Sequence, residues 1–131
     1  MPNTPLVAVV DDDDSIREAL CDLLMVSGLA CHSFGDADAF LADYAPGIYD
    51  CLITDVRMPG MSGIDMLESL RSRGSGLPTI VLTSVVDPRE HERATCLGIH
   101  AWLTKPAAGA VLLAQLKSAI ASDVWPERPQ S

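Results

Sequence analysis

The sequence predicts a doubly wound α/β domain, an open five-stranded parallel sheet with helices on both faces, and three observations carry that prediction. Five short apolar runs recur along the chain, each bounded by turn-forming residues. Stretches whose apolar residues follow helical spacing lie between them. Breakers stand where the alternation requires them, at Gly28, Pro46-Gly47, Pro59-Gly60, Gly74 and Gly76, Gly98 and Pro106. Strict alternation of strand and helix in one small chain favours parallel strands joined by helical crossovers.

The first strand is read at Leu6 to Val10, followed by a helix whose inner face carries Ile16, Leu20, Leu23 and Leu24 and which Gly28 ends. A mixed run from Leu29 to Phe34 makes the second strand, and Phe40 with Leu41 marks a short second helix. Cys51 to Thr54 forms the third strand, with Ile64, Leu67 and Leu70 on the helix after it. Thr79 to Thr83 is the fourth. Asp87-Pro88 then reads as an N-cap followed by proline at the first helical position, so a fourth helix should run to about Leu97. Ala101 to Thr104 gives the fifth strand, and Val111, Leu112, Ala114, Leu116 and Ile120 mark the last helix. Residues 1–122 therefore make one domain, and residues 123–131 form a polar, proline-bearing tail or the start of a linker.

Composition sets limits on function. A chain of 131 residues with 48% hydrophobic content can build one core. Its formal charge of −9 repels a phosphate backbone, which argues against direct nucleic-acid binding by this domain. The four cysteines, Cys21, Cys31, Cys51 and Cys96, contain no CxxC pair and are read as buried free thiols, not a zinc site. No basic leader and no membrane-spanning run is present in the sequence, so the expected setting is cytoplasmic, with no membrane partner.

The stretch VAVVDDDDSIREAL then poses a question, because four adjacent carboxylates repel one another unless something cationic offsets them. Five strands suggest the flavodoxin-like order 2-1-3-4-5, in which ligands bind beyond the carboxyl ends of the strands, at the switch point between the first and third. That order brings Asp11 and Asp12, after the first strand, to the same rim as Asp55, which ends the third. Three carboxylates together suit a hard divalent cation such as magnesium. Asp13 and Asp14 instead suit the start of the following helix, as cap and dipole complement. Thr83 after the fourth strand and Lys105 after the fifth add a hydroxyl and a fixed cation to that rim. A carboxylate can attack phosphorus if metal and cationic donors neutralise the equatorial oxygens, and Asp55, the lone acid at its strand end, is the expected nucleophile.

These residues resemble the receiver domains of two-component response regulators, the family of the chemotaxis regulators. The resemblance covers about Leu6 to Ala121 and rests on VVDD at 9 to 12, TDVRMPGMSG at 54 to 63, LTS at 82 to 84 and KP at 105 to 106, taken in order. It implies that Asp55 accepts a phosphoryl group from a phosphohistidine of a partner sensor histidine kinase. It further implies magnesium on Asp11, Asp12, Asp55 and the backbone carbonyl of Arg57, with Lys105 and Thr83 contacting the phosphoryl group and a cis peptide at Lys105-Pro106. Family members couple Thr83 to an aromatic on the fifth strand, a place that Trp102 holds here, or Trp102 is simply a packed tryptophan. Arg57 and Val85 fall where the family tunes the lifetime of the phosphorylated state, and Ser84 and Ala107 depart from its usual residues.

The expected output face is the fourth helix, fifth strand and fifth helix around Arg89, Trp102 and Lys117, engaging a second copy or an effector. An output domain beyond the C-terminus is a further expectation. The first helix, with Arg17, Cys21 and Met25, is the expected kinase-docking face. His32, His91 and His100 share no ligand spacing and receive no role. On this reading the chain is a phosphoacceptor switch with self-catalysed transfer and hydrolysis, not an enzyme of general turnover. One rival is a magnesium-dependent phosphohydrolase, weakened because Arg57 stands where such enzymes carry a second acid. The other is a receiver-like module that works without phosphorylation, weakened because the acids, Thr83 and Lys105 are all present.

Overall fold

The computed structural model describes residues 4–121, so the polar tail expected at 123–131 lies outside the described residues. Ten elements alternate without exception: β1 Leu6–Val10, α1 Asp14–Val26, β2 Ala30–Phe34, α2 Ala37–Asp43, β3 Cys51–Thr54, α3 Gly63–Ser72, β4 Thr79–Thr83, α4 Pro88–Cys96, β5 Ala101–Thr104 and α5 Gly109–Ala121. All strand pairs are parallel, in the order β2-β1-β3-β4-β5. The switch point therefore falls between β1 and β3, as expected.

Side-chain alternation along the strands sorts the core into layers. Val7 and Val9 of β1, with Cys51, Ile53, Ile80 and Leu82, turn to one face and pack with Leu20 and Leu24 of α1 and Leu112, Leu116 and Ile120 of α5. Ala8, Val10 and Leu52 turn to the other, against Phe40 of α2 and Met66 and Leu70 of α3. A third group, Val56, Ile64, Val81 and Ala94, fills the space under α4. Each fully buried Leu, Ile or Phe contributes about 1.5–3 kcal/mol of transfer free energy, so these layers dominate the stability. The mixed sequence of β2 has a simple cause: it is an edge strand, and its His32 and Ser33 face solvent.

Helix starts are set by side-chain caps. Asp13 Oδ1 accepts the N–H groups of Ser15 and Ile16, Asp36 accepts that of Ala39, Ser62 that of Asp65, and Asp87 that of Arg89 ahead of Pro88. Each cap is worth about 1 kcal/mol. Half of the opening acid run is thereby accounted for, since Asp13 caps α1 and Asp14 sits in its first turn.

The reading of all four cysteines as buried free thiols is corrected. Cys21 of α1 and Cys31 of β2 are joined by a disulfide, and Cys96 is exposed, leaving Cys51 as the buried free thiol. The reason is geometric: α1 returns antiparallel over the edge strand it precedes, bringing the two Cα atoms within 5.6 Å.

Candidate functional site

Strand register assembles the acidic rim. Val10 pairs with Thr54, so the next residues, Asp11 and Asp55, emerge side by side. The Asp55 N–H donates to the Val10 carbonyl at 3.0 Å, and the Asp11 N–H donates to the Phe34 carbonyl at 3.1 Å. Carboxylate oxygens of Asp11, Asp12 and Asp55 lie within 4.8 Å of one another. Asp11 and Asp55 are buried, and Asp12 is exposed at the mouth. Lys105 follows β5, its N–H donating to the Thr83 carbonyl at 2.8 Å, and the Lys105-Pro106 peptide is cis. Its ammonium donates to Asp11 Oδ2 and to Asp55 Oδ2, both at 2.8 Å.

The remaining oxygens are held by main chain. Asp11 Oδ1 accepts the Asp13 N–H at 2.9 Å, and Asp55 Oδ1 accepts the Val56 N–H at 2.6 Å. Burial works to lower the pKa of Lys105, but its hydrogen bonds to Asp11 and Asp55 outweigh that effect and hold it above the ordinary lysine value. Three carboxylates against one ammonium leave two negative charges unbalanced in a partly buried site. That deficit, presented by oxygen donors alone, fits a hard divalent cation. Arg57 lies in the loop beyond β3, where it lines an open depression of about 350 Å³ with Asp12, Met58, Pro59 and Glu90.

Thr83 is fully buried at the end of β4, its Oγ1 accepting the Val85 N–H at 3.2 Å. Trp102 pairs in register with Val81 and is half-buried. Its indole stacks on the His91 ring of α4, with centroids 4.6 Å apart and planes 21° apart.

Four features of the site escaped the sequence reading. Arg17 of α1 turns to the rim: its Nη1 donates to the Asp11 carbonyl at 2.5 Å, and its Nη2 pairs with Asp14. Gly63 opens α3 directly against the end of β3, its N–H donating to Val56 O at 2.9 Å, and a Cβ there would lie 1.9 Å from the Asp55 carbonyl oxygen. Thr54 Oγ1 donates to that same oxygen at 2.8 Å. His91, given no role, is the stacking partner of Trp102. Of these, Thr54 and Gly63 left a trace in the sequence, as the first and last residues of the TDVRMPGMSG motif.

The family model described as the response regulator receiver domain matches residues 7–117. The chain belongs to that family. Among curated relatives, this receiver domain is 40% identical over 120 residues to the transcriptional regulatory protein FixJ of Azorhizobium caulinodans, covering 92% of this chain and 57% of FixJ. It is 34% identical to the response regulator protein TodT of Pseudomonas putida, covering 88% and 51%. Among solved structures it superposes on the chemotaxis protein CheY4 of Vibrio cholerae with a TM-score of 0.82 at 28% identity, covering 89% of this chain and 99% of that one. The response regulator StyR gives 0.85 at 37%, covering 90% and 60%. The chain thus spans about half the length of the curated relatives it matches. No helix among the described residues is long and apolar enough to cross a membrane.

Proposed function

We propose that this receiver domain accepts a phosphoryl group on Asp55 from the phosphohistidine of a sensor histidine kinase, in the cytoplasm. The observation that carries this reading is the charge balance of the rim: three carboxylates within 4.8 Å, two of them bound to one ammonium, at the switch point of the sheet. Asp11, Asp12, Asp55 and the backbone carbonyl of Arg57 would hold magnesium. When bound, the ion would supply positive charge against the equatorial phosphoryl oxygens.

The residues of the chain divide the work. Asp55 Oδ1 is fixed by the Val56 N–H, which leaves Oδ2 as the attacking oxygen. As the new O–P bond forms, the N–P bond of the phosphohistidine breaks and the imidazole leaves on the kinase. Lys105 then exchanges its bond to Asp55 Oδ2 for one to a phosphoryl oxygen, keeping its bond to Asp11. Thr83 donates to the group only after turning its hydroxyl, which releases the Val85 N–H and so connects the site to the loop before α4. The surface of α4, β5 and α5 around Arg89, Trp102 and Lys117 changes in consequence and acts on a second copy, an effector or an output domain further along a longer protein. The domain is a switch that catalyses only its own transfer and hydrolysis, and the regulated process is transcriptional or other signalling control.

The test is intact mass after incubation with magnesium and acetyl phosphate, wild type against Asp55→Asn. The reading expects one added phosphoryl group in the wild type, dependent on magnesium and missing from the variant. A wild type that gains none would defeat it.

A further inference from the structure

We propose that Cys21 and Cys31 form a thiol–disulfide modification site, closed by exchange with low-molecular-weight disulfides and reopened by thiols, that fixes α1 on the sheet edge. The pair is set in regular structure. Cys21 lies on the middle of α1 and Cys31 on β2, with Cα atoms 5.6 Å apart, inside the range a disulfide requires without backbone movement. Both residues are half-buried, so a small disulfide can reach them.

The other two cysteines behave differently. Cys51 is fully buried in β3, and burial pushes its thiol up to about 12, which leaves little thiolate for exchange. Cys96 is exposed at the end of α4 and has no cysteine beside it among the described residues.

Exchange balances as follows. One thiolate of the pair attacks the small disulfide, forming a mixed disulfide and releasing one small thiol. The second cysteine, as thiolate, attacks the protein sulfur of that mixed disulfide, forming the Cys21–Cys31 bond and releasing the second small thiol. Two protein thiols are oxidised and one small disulfide is reduced to two thiols.

Closure bears on the rim because the same two elements frame it. Arg17 lies one turn before Cys21 on the same stripe of α1, and its guanidinium rests 3.4 Å from where a Cβ on Gly35 would stand, just past the end of β2. The disulfide thus ties α1 to β2 one turn beyond the Arg17 bond to the carbonyl of Asp11, a residue that is itself bonded through its N–H to the Phe34 carbonyl of β2. Fixing the first tie covalently restrains the second.

The folded chain is equilibrated in graded mixtures of reduced and oxidised glutathione, quenched with acid, alkylated in denaturant and weighed intact. The expected product is lighter by two hydrogens before alkylation, takes up two alkyl groups of a possible four, maps to Cys21 and Cys31, and disappears on adding reduced glutathione. Cys21→Ser and Cys31→Ser variants should not form it and should hold glutathione on the remaining partner. Amide exchange along α1 should be slower in the oxidised wild type than in the reduced one, with no such difference in the double serine variant. Four alkylated cysteines at every mixture, a bond mapped to Cys96, or equal α1 exchange in the two wild-type forms would overturn the proposal.

Discussion

The most exacting test of the site geometry is the smallest change, Gly63→Ala. The added methyl carbon would stand 1.9 Å from the Asp55 carbonyl oxygen, 2.9 Å from Thr54 Oγ1 and 3.0 Å from the Asp55 carbonyl carbon. Ordinary non-bonded separations are about 3.5 Å, so α3 and the end of β3 must part by more than about 1 Å. Neither side yields easily, because Asp55 N–H is bonded to β1 and α3 is anchored by fully buried Ile64, Met66, Leu67 and Leu70. Overpacking of this kind typically costs about 1–3 kcal/mol, while alanine regains up to about 1 kcal/mol of helix propensity. A net loss of about 1–2 kcal/mol is therefore expected, read as a lower urea midpoint with an unchanged slope. The functional effect should be larger, because the displaced atom belongs to Asp55, the proposed acceptor, and a misplacement near 1 Å can reduce a rate about 100-fold. Urea titration and the acetyl phosphate mass assay measure the two effects separately. Gly76→Ala, where nothing lies within 4 Å, is the matched control and should be nearly silent. A Gly63→Ala protein as stable and as readily phosphorylated as the wild type would refute the claim that this glycine sets the acceptor's position.

Magnesium should stabilise the wild type against unfolding, by about 2.7 kcal/mol at 100-fold over its dissociation constant, and Asp12→Asn should reduce that gain at equal magnesium, as differential scanning calorimetry would show. Because Lys105 has a folded pKa above its unfolded value, its contribution to stability is complete below about pH 10.4 and is lost as pH rises through the folded value. The gap in unfolding free energy between wild type and Lys105→Met should accordingly stay level near neutrality and shrink at alkaline pH, in urea titrations repeated across that range. Arg71 donates to the carbonyls of Leu97, Ser75, Leu77 and Gly98 at 2.8–3.2 Å, so Arg71→Met, which strands the partly buried acceptors of Leu97, Ser75 and Leu77 and leaves that of Gly98 to solvent, should lower stability by about 2–3 kcal/mol in chemical denaturation.

What the sequence made legible was whatever depends on local pattern plus topology. The alternation of apolar runs and helical stripes fixes five strands and five helices, and one rule about where parallel sheets bind ligands then places Asp11, Asp12, Asp55 and Lys105 at one rim. Asp13 and Pro88 were legible for a more local reason, since caps act within one turn. The features that were missed depend on how two elements cross at a particular height. Cys21 meets Cys31 because of the pitch of α1 over β2, Gly63 matters because α3 starts within contact of β3, and His91 meets Trp102 because α4 lies over β5. None of these distances is written in the spacing of a single segment. Thr83 falls between the two cases: its strand-end position was readable, but its bond to the Val85 N–H was not.

The way α4 is held explains why a modification at Asp55 could move it and leave the other helices in place. Helices α1, α3 and α5 are anchored by large buried aliphatic side chains, which water cannot replace. Among its helical residues α4 buries only Ala94. Beyond the partly buried Leu97 that caps it, its other ties are polar or stacked: Arg93 pairs with Asp65 and Glu68 of α3 at 2.7 and 2.8 Å, Arg71 reaches the carbonyls of Leu97 and Gly98 just past its end, and His91 lies on Trp102. Arg93 and both its partners are substantially exposed, and ion pairs of that kind contribute no more than about 1 kcal/mol because water competes for them. Repositioning α4 thus exchanges contacts that solvent can largely replace, whereas repositioning α3 would open a core. A phosphoryl group contributes a few charge-assisted bonds, enough to bias a transition of the first kind and too few to drive the second. The output face is therefore expected where apolar anchoring is weakest, beside the buried Thr83, whose hydroxyl's bond to the loop before α4 can be exchanged for a bond to the phosphoryl group.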